Sequence, residues 1–196
     1  MGKHDEAVSA AVALADVGAA SAAQDLAPEV EKRAAKPDPS DVARQIVLRQ
    51  LAMAPRSRSE LLQKLAQRGC SAEVAVAVVD RMAEVGLVDD EAYASMLVRT
   101  QHAGRGLARR ALARELRTKG IHVDLAELAL STISDEDERD RARALVDKKL
   151  RAMHGLGIEV QTRRLAGLLA RKGYSSSMTY AVIREAIADA PEHLPD

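Results

Sequence analysis

The hydrophobic residues of this chain follow a helical pattern that is repeated three times. In each copy two leucines stand four residues apart, and a glycine follows four residues after the second leucine. The three sets are Leu61, Leu65 and Gly69, then Leu112, Leu116 and Gly120, then Leu165, Leu169 and Gly173. Leucines four apart lie on one face of an α-helix, and a glycine just past the last turn supplies a left-handed cap. The pattern therefore predicts three equivalent helices, each ending at its glycine.

Further helices are predicted before and after each leucine pair. The preceding helices lie near residues 41–53, 90–103 and 136–153, and the following ones begin near Val74, Leu125 and Met178. A unit of three such helices is too small to bury its own apolar faces. Three units stacked in chain order predict an all-α fold with an elongated, curved shape. We expect the units to span residues 40–88, 89–134 and 135–188.

The composition agrees with an all-helical fold. Hydrophobic residues make up 47% of the 196-residue chain, but aromatic residues make up only 2%, and Phe and Trp are absent. Sheets favour β-branched and aromatic residues, whereas the Ala and Leu that are abundant here favour helices. Sheet-based folds are therefore not expected.

The single cysteine and the apolar N-terminal stretch indicate the compartment. Cys70 excludes an internal disulfide, which favours a reducing, cytoplasmic location. It follows a predicted helix cap at an apolar position, so we expect it to be buried and unreactive. The apolar run from Ala7 to Leu26 is interrupted by Asp16 and Gly18 and lacks a preceding basic region. It is therefore predicted to be neither a signal peptide nor a membrane span.

The two ends of the chain differ in charge from its middle. Residues 1–40 carry four basic and seven acidic residues, and residues 188–196 carry three acidic residues and no basic one. Residues 41–187 carry 25 basic and 19 acidic residues. A Lys-Pro-Asp-Pro run, which disfavours helix, closes the Ala-rich beginning of the chain. We expect residues 1–39 to be a disordered acidic extension, residues 189–196 to be an acidic tail, and the folded part to be mildly basic.

A stripe of arginines distinguishes the middle unit from its two copies. Arg110, Arg114 and Arg117 lie on one helix face, turned away from Leu112 and Leu116. The equivalent residues are Ser59, Gln63 and Ala66 in the first unit and Arg163, Gly167 and Ala170 in the third. Because the other copies lack the stripe, the fold does not require it.

The segment around this stripe is also basic. Between residues 99 and 119 there are seven basic residues and one acid, Glu115. Charge runs are usually solvated helix faces, but here the like charges repel one another unless an anionic partner approaches. We therefore predict a partner-binding surface. Its residues are Arg99, Arg105, Arg109, Arg110, Arg114, Arg117 and Lys119, with secondary basic positions at Arg163, Arg164, Arg171 and Lys172.

The remaining motifs favour structural roles over catalysis. Gly104–Gly106 predicts a turn between helices, because a phosphate-binding loop would need a following Gly-Lys-Ser/Thr. The acids at 89–91 and 135–138 suit helix starts better than a cation site, and Ser57 with Glu60 predicts a capping box. The five histidines show no metal-binding or catalytic spacing. We therefore expect neither an enzyme nor a bound cofactor.

Several short segments together resemble the successive signatures of the RecX family. They are Arg56–Leu61, Arg68–Gly69, Gly86–Ala94, Gly104–Leu116, Lys119–Ile121 and Arg171–Ser175. The similarity runs in the right order from about residue 41 to 187. Cys70 and Tyr174 stand where an aromatic residue, usually Phe, is common in the family, and Leu107–Ala108 replaces a Gly-Pro-type continuation.

The resemblance implies a non-enzymatic protein that binds the RecA recombinase. A member of this family is expected to lodge in the groove of the RecA nucleoprotein filament and to span neighbouring subunits. It would thereby suppress filament growth, ATP hydrolysis and strand exchange. A curved array with one basic face is compatible with following a helical polymer in this way.

Two other functions are compatible with the same residues. One is a helical DNA-binding protein, but the helices placed like reading helices carry acids such as Glu73, Asp80 and Glu127. The chain has only three tyrosines to stack on bases, so any DNA contact should be weak and directed at phosphates. The other is a protein adaptor unrelated to recombination. The sequence has no heptad seam of the kind that would indicate self-association, so we expect a monomer.

Overall fold

The computed structural model describes residues 38–189, and these residues form nine α-helices without a β-strand. The helices are α1 (Pro39–Met53), α2 (Arg58–Gln67), α3 (Ala72–Glu84), α4 (Asp90–Arg105), α5 (Arg109–Thr118), α6 (Val123–Leu130), α7 (Asp135–Arg151), α8 (Ile158–Lys172) and α9 (Ser176–Ala188). The prediction of an all-α fold is confirmed. The acidic tail beyond residue 189 and the extension up to residue 37 lie outside the described residues.

Consecutive triplets of helices form three units, which we call unit 1 (α1–α3), unit 2 (α4–α6) and unit 3 (α7–α9). Each unit has a hydrophobic core built around the leucine pair of its middle helix. All six leucines are at most 1% exposed. An alanine and a valine of the first helix complete each core, and these pairs are Ala43 and Val47, Ala94 and Val98, and Ala142 and Val146. The repeated pattern of the sequence is therefore the pattern of the cores.

Helix starts are capped largely as the sequence predicts. Ser57 and Glu60 form the predicted capping box at the start of α2. Asp89 accepts a 2.9 Å hydrogen bond from a backbone N–H in the first turn of α4. Ser134 and Asp137 form a second capping box at the start of α7. Short polar side chains thus satisfy the free N–H groups that every helix start presents.

The turn after α4 is shorter than the predicted turn, which spanned residues 104–106. α4 continues through Gly104 and Arg105, so only Gly106 leaves the helix, with a left-handed φ of 62°. A Cβ at Gly106 would lie 2.8 Å from Cδ1 of Leu145, a residue of unit 3. The left-handed backbone therefore favours glycine at this position, and the side chain of Leu145 packs in the space that a Cβ would enter.

The three middle helices meet end to end. The C-terminal end of α5 contacts the start of α2, where Oγ of Ser57 donates a 2.6 Å hydrogen bond to the carbonyl of Lys119. The C-terminal end of α8 contacts the start of α5, where the backbone N–H of Ala108 donates a 2.9 Å hydrogen bond to the carbonyl of Lys172. Each junction therefore joins the end of one middle helix to the start of the middle helix in the preceding unit.

The glycines at these two junctions are required by close approach as well as by backbone conformation. At Gly173 a Cβ would lie 2.7 Å from Cβ of Ala111, and at Gly120 it would overlap the side chain of Ser59. At Gly69, the equivalent residue of unit 1, no atom beyond the glycine and its chain neighbours lies within 4 Å of the Cβ position. The repeated glycine therefore ends a helix in all three units but makes a contact between units in only two.

An acid from the following unit completes the first turn of α2 and of α5. Oδ1 of Asp90 accepts a 2.8 Å hydrogen bond from the backbone N–H of Arg58. Oε1 of Glu138 accepts a 2.8 Å hydrogen bond from the backbone N–H of Arg109. Both acids stand four residues before the buried alanine of their own helix, so their positions are equivalent. We call this contact the inter-unit cap. The two acids, expected to cap their own helices, instead cap helices of the preceding unit.

α8 differs from the other middle helices at its start. It begins seven residues before its first leucine, whereas α2 and α5 begin three residues before theirs. The extra turn places Gln161 where the other units have Ser57 and Ala108. Gln161 is fully buried, and its Nε2 donates a 3.2 Å hydrogen bond to the carbonyl of Met153.

Replacing Glu138 with Gln should destabilise this fold. The side chain of Glu138 is 9% exposed, and its Oε2 lies 3.1 Å from Nε of Arg109. Glutamine keeps one acceptor but loses the charge that holds the guanidinium. We expect Glu138→Gln to lower the free energy of unfolding by about 1–2 kcal/mol, measured by urea denaturation followed by circular dichroism.

The matched control for this variant is Glu136→Gln, an exposed acid in the same first turn of α7. It should change the free energy of unfolding by less than about 0.5 kcal/mol. Equal losses in the two variants would contradict the inter-unit cap.

Glu60 links units 1 and 2. Its Oε1 accepts a 2.6 Å hydrogen bond from Nζ of Lys119, and its Oε2 accepts a 3.2 Å hydrogen bond from the hydroxyl of Tyr93. Partial burial raises the pKa of Glu60, but the hydrogen bonds from Lys119 and from the backbone of Ser57 outweigh it, so the pKa is lowered. Burial and the Glu60 carboxylate raise the pKa of Tyr93 to about 12. The junction therefore favours an ionised Glu60.

Acid should weaken the fold partly through Glu60. Because the pKa of Glu60 is lower in the folded than in the unfolded chain, its ionised form stabilises the fold above the unfolded value of about 4.3. That stabilisation is lost as the pH falls through the folded pKa. The variant Glu60→Gln, which preserves the capping box, should be less stable at neutral pH and lose less stability on acidification. Urea denaturation at a series of pH values measures both effects.

The control is Glu91→Gln, which removes an exposed acid of α4 and should keep the wild-type pH profile. If the free energy of unfolding of Glu60→Gln changed with pH as steeply as that of the unaltered protein, the Glu60 carboxylate would not be what stabilises the junction of units 1 and 2.

Candidate partner-binding surface

The eleven basic residues predicted to bind a partner fall into two groups in the structure. Four of them contact other parts of the chain at or near the junctions, namely Arg105, Arg109, Lys119 and Lys172. The other seven are exposed and form no ion pair with residues 38–189, namely Arg99, Arg110, Arg114, Arg117, Arg163, Arg164 and Arg171. Sequence pattern does not separate the two groups.

Arg109 belongs to the inter-unit cap. Its Nε donates a 3.1 Å hydrogen bond to Glu138, and its guanidinium also contacts Asp135 and the carbonyl of Ile133. The hydrogen bond with Asp135 and the charge of Glu138 outweigh partial burial and raise the pKa of Arg109. The guanidinium is therefore engaged within the protein.

The two lysines that precede the junction glycines also contact their own chain. Nζ of Lys119 binds the junction carboxylate of unit 1. Nζ of Lys172 donates to the carbonyl of Arg105 at the C-terminal end of α4, where a cation suits the helix dipole. Partial burial and the charges of Arg105 and Arg141 lower the pKa of Lys172. Arg105 itself lies 3.4 Å from Oε1 of Glu115. Lys119 and Lys172 therefore join neighbouring units, whereas the contact of Arg105 with Glu115 lies within unit 2.

Arg110, Arg114 and Arg117 remain exposed on the outer face of α5, and we call them the arginine stripe. The opposite face of α5 buries Leu112 and Leu116 completely. No carboxylate of residues 38–189 forms an ion pair with the stripe. Arginines three or four residues apart on a helix repel one another, so an anionic partner would relieve that repulsion.

The first arginine of the stripe borders a groove between units 2 and 3. The groove has a volume of about 540 Å³ and is lined by the starts of α5, α7 and α9. Arg110, Ser175 and Ser177 lie on its walls. Ser175 also caps α9, because its Oγ accepts a 3.3 Å hydrogen bond from the backbone N–H of Met178. The stripe therefore leads into a concave surface that combines charged and hydroxyl side chains with a larger apolar area.

A second concave surface lies between α4 and α7. This cleft of about 660 Å³ combines the predicted contact residue Arg99 with His102, Asp140 and Arg141, over apolar residues such as Ile133. Sequence reasoning missed the cleft, because its two walls are about forty residues apart in the chain. Neither α4 nor α7 carries a sequence motif that would mark the cleft, and only the contact between units 2 and 3 brings the two helices together.

The exposed bases of α8 extend the basic character along the middle helices. Arg163, Arg164 and Arg171 are exposed. A terminal nitrogen of Arg171 lies 3.4 Å from the position that a Cβ atom on Gly167 would occupy. The C-terminal end of α8 meets the start of α5. When the middle helices are followed from unit 3 to unit 2, the exposed bases of α8 therefore come before the arginine stripe.

The described residues contain neither a metal-binding cluster nor a membrane-spanning helix. Among residues 38–189, no group of three or more His, Cys, Asp or Glu side chains is arranged to hold a metal ion. None of the nine helices there combines the length and the apolar character needed to cross a membrane. Cys70 is half-buried against the core of unit 1, so it is more accessible than predicted.

The fold and these surfaces define a class of protein, a series of stacked three-helix units whose middle unit has a basic outer face. Models of three RecX domains match the chain in order, the first three-helix domain at residues 43–82, the second at 89–130 and the third at 135–183. The chain belongs to the RecX family. The resemblance seen in the sequence is confirmed.

Curated relatives agree with this assignment. The regulatory protein RecX of Streptomyces coelicolor is 49% identical over 162 residues, covering 81% of this chain and 86% of that protein. The RecX protein of Thermobifida fusca is 48% identical over 143 residues, covering 73% and 77%. That of Mycolicibacterium smegmatis is 42% identical over 154 residues, covering 76% and 82%.

Solved structures share the fold. The crystal structure of RecX from Lactobacillus salivarius superposes with a TM-score of 0.68 at 21% identity, covering 76% of this chain and 97% of that one. A second crystal structure of regulatory protein RecX gives a TM-score of 0.66 at 26% identity, covering 76% and 72%. The arrangement of three-helix units is thus shared with both structures.

Neighbouring arginines of α5 should respond differently to removal. Arg109→Ala leaves the buried carboxylate of Glu138 without its guanidinium, so we expect a loss of about 1–2 kcal/mol in the free energy of unfolding. Arg110→Ala removes an exposed side chain and should change it by less than about 0.5 kcal/mol. Urea denaturation of both variants provides the comparison, with each serving as control for the other. Similar losses would contradict the division into two groups.

Proposed function

We propose that this chain regulates the RecA recombinase, mainly as an inhibitor. It binds in the groove of the RecA nucleoprotein filament and suppresses filament growth, ATP hydrolysis and strand exchange. Membership of the RecX family of regulatory proteins supports the regulatory class. The observation that carries the contact is the arginine stripe, three exposed like charges that form no ion pair with residues 38–189.

The position of the stripe suits a partner larger than one unit. α5 is the middle helix of the middle unit, with the start of α2 at one end and the end of α8 at the other. A filament made of repeated subunits presents the same anionic groups at successive positions. Stacked units offer an extended surface that contacts more than one of them.

The free arginines bind a partner without breaking contacts inside the protein. Arginine forms paired hydrogen bonds with carboxylates, and these bonds are stronger than neutral ones. The cations already used at the junctions would first have to leave Glu60 or Glu138. The stripe is therefore the part of the basic surface that adds most to binding, and binding should weaken as salt is raised.

Direct binding to the DNA backbone is a second candidate function. The same exposed arginines would contact phosphates. Tyr93 and Tyr174 are buried, and Tyr180 is 54% exposed, so a single tyrosine of the chain is accessible for stacking on a base. Binding of DNA alone is therefore expected to be weak, directed at phosphates and sensitive to salt.

Reversing the charge of the stripe should relieve inhibition of RecA. In a variant with Arg110→Glu, Arg114→Glu and Arg117→Glu, we expect at least about tenfold more protein to be needed to inhibit RecA-driven ATP hydrolysis on single-stranded DNA. The cause is repulsion between the new carboxylates and the anionic groups of the filament. Helical content measured by circular dichroism should be unchanged, because all three residues are exposed.

A matched control reverses three exposed arginines of unit 1, Arg44, Arg49 and Arg81, which alters the net charge equally. It should inhibit like the unaltered protein. Parallel titrations with DNA alone separate the two candidates, since inhibition far below the concentrations that bind DNA supports the regulator. Inhibition only where DNA is bound supports the DNA-binding protein, and full inhibition by the folded stripe variant overturns the role of the stripe.

A further inference from the structure

A small pocket between α1 and α2 is lined mostly by polar side chains, and we call it the unit 1 pocket. Its volume is about 240 Å³, which suits one side chain or a small ion rather than a length of polymer. Its polar walls are formed by Gln50, Arg56, Glu60, Gln63, Lys64 and Gln67. Two of these residues, Arg56 and Lys64, are cations.

Neither cation has a hydrogen-bonding partner within residues 38–189. Nε of Arg56 is buried and meets no acceptor there. The carboxylate of Glu60 lies 3.8 Å from Nη1 of Arg56, which is beyond hydrogen-bonding distance. Lys64 forms no ion pair with residues 38–189 and is only half-exposed. Buried donors without an acceptor are rare and costly, so this arrangement requires an explanation.

The equivalent place in unit 2 is filled from within the unit. When the leucine pairs of α2 and α5 are aligned, Gln50, Ala54 and Lys64 correspond to Gln101, Arg105 and Glu115. Nη1 of Arg105 lies 3.2 Å from Oε1 of Gln101 and 3.4 Å from Oε1 of Glu115. Unit 1 keeps the glutamine, has alanine in place of the arginine and has lysine in place of the acid. Its pocket therefore has the opposite charge at the position of Glu115 and no internal side chain to match it.

Glu60 does not satisfy the two cations of the unit 1 pocket. Its Oε1 accepts a 2.6 Å hydrogen bond from Nζ of Lys119, and its Oε2 accepts a 3.2 Å hydrogen bond from the hydroxyl of Tyr93. Both oxygens are thus engaged at the junction of units 1 and 2. The group that would complement Arg56 and Lys64 is a further hydrogen-bond acceptor with a negative charge.

We infer that the unit 1 pocket binds a carboxylate, the side chain of an aspartate or glutamate that a protein partner inserts between α1 and α2. A guanidinium and an ammonium form strong charge-assisted hydrogen bonds with a carboxylate, and glutamine amides add neutral donors. The pocket is deep enough to accept one such side chain. It thereby repeats, between two proteins, the contact that Arg105 and Glu115 make inside unit 2 with the charges exchanged.

The surroundings of the pocket favour a carboxylate over a phosphate of DNA. Binding of a polyanion needs an extended basic surface. Residues 38–88 carry seven basic and six acidic residues, so unit 1 is nearly neutral. The charge of Glu60 in the wall of the pocket also disfavours a group with two negative charges.

The unit 1 pocket is distinct from the arginine stripe, which lies on α5 of unit 2. A carboxylate held there would give a partner a second point of attachment on a neighbouring unit and so fix its orientation along the stacked units. The binding of a carboxylate does not depend on RecA being that partner, and it is tested without RecA.

The test follows the Nε–H signal of Arg56 by nuclear magnetic resonance of the isotope-labelled full chain. The probe is sodium acetate, the simplest analogue of an acidic side chain, with sodium chloride keeping the ionic strength constant. The signal should shift with acetate and reach saturation, because acetate supplies an acceptor for this donor. Inorganic phosphate, used in the same way, should need a higher concentration for half-saturation than acetate.

Variants at position 64 test the charge of the pocket. Lys64→Glu introduces the acid that unit 2 has at this position, and it should need at least about tenfold more acetate for half-saturation, because like charges then meet. Lys64→Gln removes the charge without introducing repulsion and should fall between the two. It also keeps the test informative if Lys64→Glu weakens the fold, which circular dichroism would show.

The matched control is Arg49→Glu, which reverses an exposed base of α1 outside the pocket and should bind acetate as the unaltered protein does. An Arg56 signal that does not respond to acetate, or that responds equally to chloride, overturns the inference. Normal acetate binding by both Lys64 variants overturns it too, and tighter binding of phosphate than of acetate overturns the choice of a carboxylate. All these outcomes are independent of whether the chain inhibits RecA.

Discussion

The first turn of a helix presents backbone N–H groups that need acceptors, and the middle helices of units 1 and 2 obtain one from the unit that follows. Asp90 supplies it to α2 and Glu138 to α5. α5 depends on this contact more than α2 does, because Ala108 gives it no side-chain cap and its first turn carries no acid. Basic residues at a helix start oppose the helix dipole, so the carboxylate of Glu138 meets an electrostatic need as well as a hydrogen-bonding one. The end-to-end arrangement of the middle helices follows from it.

The need for an acceptor at the start of α5 gives two adjacent arginines different roles. Arg109 contacts Glu138 and Asp135 and so stabilises the contact between units 2 and 3. Arg110 is exposed beside the groove where those units meet. The basic segment of unit 2 thus serves two purposes, with some cations joining units and the stripe left for the proposed contact with the filament. The same contacts that build the stacked units also hold the stripe in a defined position, which lowers the entropic cost of binding a partner.

The repeat also accounts for its own ends. Gly120 and Gly173 are contacted by the preceding unit, whereas Gly69 is open, and α8 begins a turn earlier than α2 and α5. Pro39 and Thr162 stand at the two ends in the positions of the acid and the arginine of the inter-unit cap, so neither end carries that charged pair.

The sequence by itself determined the all-α fold, the three equivalent units and the family, because these depend on residues a few positions apart. Helical spacing, capping boxes and glycine caps are local, and the leucine pairs it marked are the buried centres of the three cores. Only the tertiary structure decided which cations are free and which acids act on another helix. Arg109 and Glu138 are 29 residues apart, and Ser57 and Lys119 are 62 residues apart. A charge pattern along one helix shows how many cations it carries, but their use depends on partners that stacking brings from the next unit.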